Sequence, residues 1–244
     1  MPSYSSRHLD PQEARKYLRK FQKGPLRRLS SWREKRLVRQ AIQEALGEIT
    51  PAKEHPRLLD IPCGAGRFAP LIASMGVHYL GADHSPHMLE LCSQTLSEAG
   101  HPSLGFFRCD ARAMSLGAQT VDLCCCLRLI HHFPEQEDRS NILANLRRIS
   151  RGPVILSFLD GESPKQWLHQ ARLALEGKKS RRTLLTKRQL TQECAEAGFR
   201  LTRTWSLSGL FSGQSLALLL PSNPPSNSSA SFSLKTQNEC PSNG

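Results

Sequence analysis

The chain lacks any apolar run approaching the roughly 18 residues that a membrane-spanning helix needs. Its first residues, 1–19, carry too much charge for the apolar core of a secretory signal. Of its eight cysteines, no two stand at the C-x-x-C spacing of a metal or redox pair. Three are consecutive, Cys124, Cys125 and Cys126, in a stretch that reads as a strand. Strand side chains alternate, so three adjacent thiols cannot converge on one ion. No metal site is expected; buried, reduced cysteines in a cytoplasmic protein are. Internal repeats are absent too, as is any basic motif interleaved with aromatics that would mark an RNA-binding module.

What is abundant is positive charge, and it is uneven. The formal net charge is +12, with 12 Lys and Arg against 5 Asp and Glu in residues 1–50 and 8 against 2 in residues 161–190. The rest of the chain is close to neutral. Basic flanks around a neutral core suit an anionic small-molecule acceptor, an acidic lipid surface or nucleic acid, and equally a solvated helix face.

The most informative run is Arg57-Leu58-Leu59-Asp60-Ile61-Pro62-Cys63-Gly64-Ala65-Gly66-Arg67-Phe68. It reads as an apolar strand ending in an acid, then a glycine turn opening a helix. Glycines spaced G-x-G permit a tight turn and close approach of a ligand to the backbone. With Ala69 the run also satisfies a loose dinucleotide fingerprint, G-x-G-x-x-G/A. Asp60 argues against that reading. A carboxylate at the mouth of the turn repels a pyrophosphate but attracts a ligand carrying an ammonium and a sulfonium, such as S-adenosylmethionine.

The following segments repeat the strand–acid–helix order. His78 to Asp83 is a strand whose closing acid lies 17 residues after Gly66, near the spacing at which a second-strand carboxylate holds ribose hydroxyls. Ser85-Pro86 reads as N-cap and N1 of the next helix. Leu104 to Cys109 is a third strand leading to Asp110, and Val121 to Leu127 a fourth leading to His131-His132. Helices are expected near 66–75, 86–99, 135–150 and 163–176, with a fifth strand from Pro153 to Leu159. Thr186-Lys187-Arg188-Gln189 forms a capping box for a helix stopping at Gly198, and two strands, Phe199–Leu207 and Ser215–Leu220, follow as a hairpin-like pair.

In this ordered set the chain resembles the class I S-adenosylmethionine-dependent methyltransferases, in particular the small-molecule subgroup that includes quinone-biosynthesis enzymes. The resemblance covers residues 57–220 and implies an α/β, doubly wound, Rossmann-like, mostly parallel sheet with an antiparallel C-terminal edge and a helical N-terminal extension. It implies three regions: a basic helical extension or lid over 1–50, a methyltransferase domain over 51–220 with a basic insertion at 161–186, and a disordered tail over 221–244. Within the extension, residues 11–47 read as helical with a break at Gly24-Pro25.

The same resemblance implies the site. Asp60 would accept from the methionine ammonium, with Cys63, Gly64, Ala65, Gly66 and Arg67 along the methionyl chain. Asp83 would hold the ribose, Asp110 and Ala111 would read the adenine edge with Met88 beside it, and His84 and Leu127 would complete the cofactor site. One of Arg28, Arg33, Arg36 and Arg39 could pair with the cofactor carboxylate. His131 and His132 are the acid–base candidates, one of which at near-neutral pKa could deprotonate a hydroxyl acceptor. Pro62 stands where the family usually has glycine, which removes one backbone donor. The expected activity is methyl transfer to a small or lipid-like, anionic acceptor; an RNA methyltransferase on the same fold is the alternative, followed by a nicotinamide-dependent oxidoreductase and a non-catalytic binding protein.

Overall fold

The structure, a computed structural model, describes residues 25–49, 51–178, 180, 182–208 and 212–222. The expected helix over 11–24 and the expected tail beyond residue 222 lie outside the described residues.

The elements run α1 (Pro25–Gly47), β1 (Arg57–Asp60), α2 (Ala69–Ala73), β2 (His78–Asp83), α3 (Pro86–Glu98), β3 (Gly105–Arg108), β4 (Leu123–Cys126), a one-turn 3-10 segment (Ile130–His132), α4 (Gln136–Ile149), β5 (Val154–Leu159), α5 (Pro164–Leu175), α6 (Lys187–Glu196), β6 (Phe199–Ser208) and β7 (Ser212–Pro221). The seven strands form one sheet in the order β3-β2-β1-β4-β5-β7-β6. Neighbours are parallel from β3 through β5, and β7 is antiparallel to both β5 and β6. The strand order reverses between β1 and β4, and in open α/β sheets the crevice at such a reversal, beyond the carboxyl ends of the strands, is where ligands bind.

Strand alternation divides the core into two layers. Leu59, Cys124, Cys126, Leu156, Phe158 and Leu219 face α4 and α6; Leu58, Cys125, Ile155 and Leu218 face α1, α2 and α3. The consecutive cysteines therefore split across both faces of β4, as strand geometry requires. All seven described cysteines are free and buried. Burial pushes the Cys124 and Cys194 thiols up to about 12 and those of Cys125 and Cys126 up as well, which keeps them protonated and unreactive. No metal-ligating cluster occurs among the described residues.

Local chemistry sets several helix starts. Ser85 caps α3 by accepting from the Met88 amide, with Pro86 following, and Ser163 caps α5 through the Gln166 amide. Thr186 and Gln189 complete a capping box on α6. Two expectations need correction. The second half of α1 is core rather than lid, because Val38, Ala41, Ile42 and Ala45 are fully buried against the sheet. Pro221 does not begin a tail: it pairs with Phe199 as the last residue of β7, and the Ser222 amide still donates to the Gly198 carbonyl.

A buried ion pair fastens α4 to α6. Arg139 donates from Nε and Nη2 to the two carboxylate oxygens of Glu193 at 3.0 and 2.6 Å, while Nη1 donates to the Phe133 and Pro134 carbonyls. Removing one partner strands a buried charge, so Arg139→Ala is expected to cost about 3–5 kcal/mol in urea unfolding. Arg139→Met, with Glu193→Met beside it, is expected to recover most of that loss.

Candidate cofactor and methyl-transfer site

The glycine turn is tied to both neighbouring strands. The Ile61 amide donates to the Cys125 carbonyl at 2.9 Å, and the Cys63 amide to the Ala82 carbonyl at 2.8 Å. Gly64 and Gly66 both adopt positive φ, +54° and +79°. At Gly66 a Cβ would come within 3.1 Å of the Cys92 Cα and the Thr95 Cβ, so glycine is needed for α3 to pack against the turn. At Gly64 nothing lies within 4 Å of where a Cβ would stand, which leaves that side of the backbone open.

Asp60 closes β1, 2% exposed. The Tyr79 hydroxyl donates to its Oδ2 at 2.9 Å. Burial pushes the Asp60 carboxyl up to about 7; the bond from Tyr79 opposes this and the nearby Asp83 charge adds to it. No cation pairs with Asp60 among the described residues. Asp83, at the end of β2, accepts the Gly64 amide on Oδ2 and the Ser85 amide on Oδ1, each at 2.9 Å. The donors that sequence reasoning gave to a diol are thus at least partly backbone amides, and Asp83 braces the turn as well as facing it. Cys63 is buried in the same group, its thiol pushed well up by a hydrogen bond with Cys92 and by burial.

The other expected residues divide. Met88 is buried and packs against Ala65. Ala111 and Leu127 are buried. The Arg108 Nε donates to the His84 carbonyl. Asp110 is half-buried and engaged with Arg112, which donates from its backbone amide, Nε and Nη2 and holds the carboxyl below its usual range. Arg112 also reaches Asp138.

The described basic residues of α1 lie at the surface. Arg28, Arg33, Arg36 and Arg39 are exposed. Instead Glu34, buried on the same helix, takes Arg67 of the glycine turn on Oε2 at 2.5 Å and Arg128, just beyond β4, on Oε1 at 3.2 Å. Arg67 also donates to the Ser31 hydroxyl. Arg128 has φ +63°, unusual for a residue with a Cβ. Its amide donates to the Ser157 hydroxyl of β5 and its guanidinium to Gln214 of β7, so with Glu34 of α1 three elements hold it in that conformation. Sequence reasoning missed Glu34, Arg128, Ser157 and Tyr79; the acid inside a basic helix was the one available signal.

The two histidines part company. His131 is 4% exposed, its Nδ1 is buried without a hydrogen-bond partner, and burial, with repulsion from His132, Arg182 and Arg128, drives its pKa down to about 2. Its ring is neutral at physiological pH and, with so low a pKa, is a weak proton acceptor. His132 is half-buried beside it, ring centroids 4.3 Å apart. The Thr183 amide donates to the His131 carbonyl at 2.9 Å, which brings the basic segment after α5 against this turn.

With this geometry in view, residues 58–152 match the family described as "Methyltransferase domain". The chain is 30% identical over 92 residues to a tRNA (carboxymethyluridine(34)-5-O)-methyltransferase of Xenopus tropicalis, covering 38% of this chain and 13% of that protein. It is 31% identical over 103 residues to an "Uncharacterized methyltransferase" of Mycobacterium ulcerans (strain Agy99), covering 41% of this chain and 38% of that one. The chain thus matches about an eighth of the length of the first relative and under two-fifths of the second. Magnesium protoporphyrin IX methyltransferase from Synechocystis PCC 6803 with bound SAH has the same fold, with TM-score 0.68 and 19% identity over 82% of this chain and 88% of that one. The same enzyme crystallised with bound SAM gives TM-score 0.60 at 21% identity, covering 80% and 81%. Over residues 58–152 the chain matches a methyltransferase domain, and its fold is that of a methyltransferase crystallised with S-adenosylmethionine, the cofactor to which both point.

The residues present fit that cofactor. Gly64 leaves open space on its backbone, and Asp60 is a buried carboxylate that a ligand ammonium would neutralise. A carboxyl whose pKa is raised on folding favours the folded state less as pH rises from its unfolded value near 4 to about 7, because the native chain then holds the extra proton. Asp60→Asn is therefore expected to flatten the fall in melting temperature over that window and to weaken S-adenosylhomocysteine binding at pH 8. An unchanged pH profile in the variant would contradict the assignment.

Proposed function

We propose that the chain transfers a methyl group from S-adenosylmethionine to a small or lipid-like, anionic acceptor. The observation that carries the reading is the buried, cation-free Asp60 beside the open Gly64 turn at the β1/β4 reversal. When bound, the cofactor supplies an electrophilic methyl on a sulfonium. Asp60 orients the ammonium end, the Gly64–Gly66 backbone lies along the methionyl chain with Cys63, Ala65 and Arg67 around it, and Asp83 with His84 takes the ribose. Met88, Asp110, Ala111 and Leu127 flank the adenine. Transfer is an in-line displacement, so alignment supplies most of the acceleration.

The anionic character of the acceptor rests on the basic segment. Arg182 is close enough to depress His131, and Arg128 stands at the same turn. His132, not His131, is the proton acceptor in this reading. His132→Gln is expected to lower turnover by roughly 10²-fold and to remove the acid limb of the kcat/KM profile; His131→Gln is expected to keep that limb. A second reading, methylation of RNA, draws on the similarity to a tRNA methyltransferase over 92 residues. Incubating cell extracts with isotopically labelled cofactor and separating the products distinguishes them. Label in acidic small molecules or lipids supports the proposal; label in RNA, with log affinity falling steeply and linearly against log salt, overturns it.

A further inference from the structure

Helix α5 is mounted with its polar face inward. Gln166 packs so closely over Gly213 that a Cβ there would collide with it, and Gln166, Gln170, Ala171 and Leu173 are its half-buried positions, with no residue of the helix fully buried. The outward side carries Trp167, Leu168 and Leu175, exposed at 71%, 66% and 90%. At 100° per residue these three, with Pro164 and Ala171 between them, share one stripe about 100° wide. Lys165 and Arg172 lie along one border of that stripe; the helix itself holds no acid, and Glu176 at its C-cap pairs with Arg172 and Lys178. A folded chain rarely turns a contiguous apolar helix face to water without a partner for it.

Helix α1 repeats the chemistry. Its buried side centres on Val38, Ala41 and Ala45, and the opposite side presents Trp32 and Leu29 among Arg33, Lys35, Arg36 and Arg39. Arg36 lies over the Trp32 ring at 5.9 Å. Both helices reach the same end of the sheet: Gln166 covers Gly213, and Glu34 holds Arg128, which donates to Gln214. Gln214 pairs with Leu159, the carboxyl end of β5, so this is the end at which the cofactor turn opens.

We infer that the outer faces of α5 and α1 dock on an anionic membrane surface. Tryptophan and leucine bordered by lysine and arginine, with no acid on α5, is the composition of a helix that lies in the headgroup region of a bilayer. The cations meet anionic headgroups and the apolar stripe enters the acyl boundary. RNA fits less well: Trp167 and Trp32 offer a base a stacking face, but Leu168, Leu175 and Leu29 do not, and phosphate contacts need no apolar stripe. The docking goes beyond the methyl-transfer reading and does not depend on it. It would bring the cofactor turn to the bilayer, where an amphiphilic acid could enter without leaving the membrane.

Flotation of the full chain with phosphatidylcholine vesicles, with and without about one-third phosphatidylglycerol, tests this. Partitioning is expected onto the anionic vesicles, weakening as salt rises, with a blue shift of tryptophan emission. The triple variant Trp167→Ser, Leu168→Ser, Leu175→Ser is expected to lose at least tenfold in partitioning while binding S-adenosylhomocysteine as the native chain does. Equal partitioning by the triple variant, or no binding to anionic vesicles, overturns the inference. So does light scattering that shows a dimer which the triple variant converts to monomer, because the stripe would then serve self-association. Retention of bulk RNA in place of vesicles overturns it as well. A native chain that floats yet binds no S-adenosylhomocysteine would leave the docking intact and defeat the methyl-transfer reading alone.

Discussion

Glu34 sits where three separate parts of the chain must agree. Its two carboxylate oxygens hold Arg67 of the glycine turn and Arg128 beyond β4, and all three side chains are wholly or largely withdrawn from water. Such a buried group adds little net stability over an apolar substitute, but it penalises every arrangement that leaves one charge unmatched. What it fixes is relative position. Helix α1 is pinned across the β1/β4 reversal, Arg128 is kept in its left-handed conformation, and through Gln214 the start of β7 is tied to the same point. The cofactor turn and the wall opposite it are thereby set by one carboxylate.

Around that anchor the charges are sorted. Acids occupy the strand ends that face the cofactor, Asp60 in β1 and Asp83 in β2, with their mutual repulsion tolerated because Tyr79 and backbone amides donate to them. Cations gather on the other side, at Arg128 and at Arg182 beside the turn that carries His131. The acid side suits a cationic cofactor and, in the function proposed above, the basic side suits an anionic acceptor; the exposed faces of α1 and α5 carry further cations. No described helix is long and apolar enough to cross a membrane, so contact with a bilayer would be peripheral.

Much of this was legible in the sequence because it is written locally. The strand ends at Asp60 and Asp83, the caps at Ser85 and Thr186 and the antiparallel closing pair all depend on residues a few positions apart. The glycines declared the turn for the same reason. The Glu34 cluster was hidden because its members are 33 and 94 residues apart, and an acid inside a basic helix does not by itself name its partners. Periodicity also fails to say which side of an amphipathic helix is wet. It gave α5 as a helix without revealing that Gln166 and Gln170 face the protein, and it took α1 for a lid although half of it is core. His131 shows a related limit: a histidine's pKa depends on burial and on charges such as Arg182 that arrive from distant segments.

The central claim, that Glu34 holds the turn in the form that receives the cofactor, is tested most directly by calorimetric titration of S-adenosylhomocysteine into the native chain and into Glu34→Gln. The native chain should bind one equivalent. The variant, folded but with Arg67 and Arg128 no longer matched, should bind at least tenfold more weakly, a difference of about 1.4 kcal/mol. Equal affinity in the two proteins, or no binding by the native chain, would contradict it.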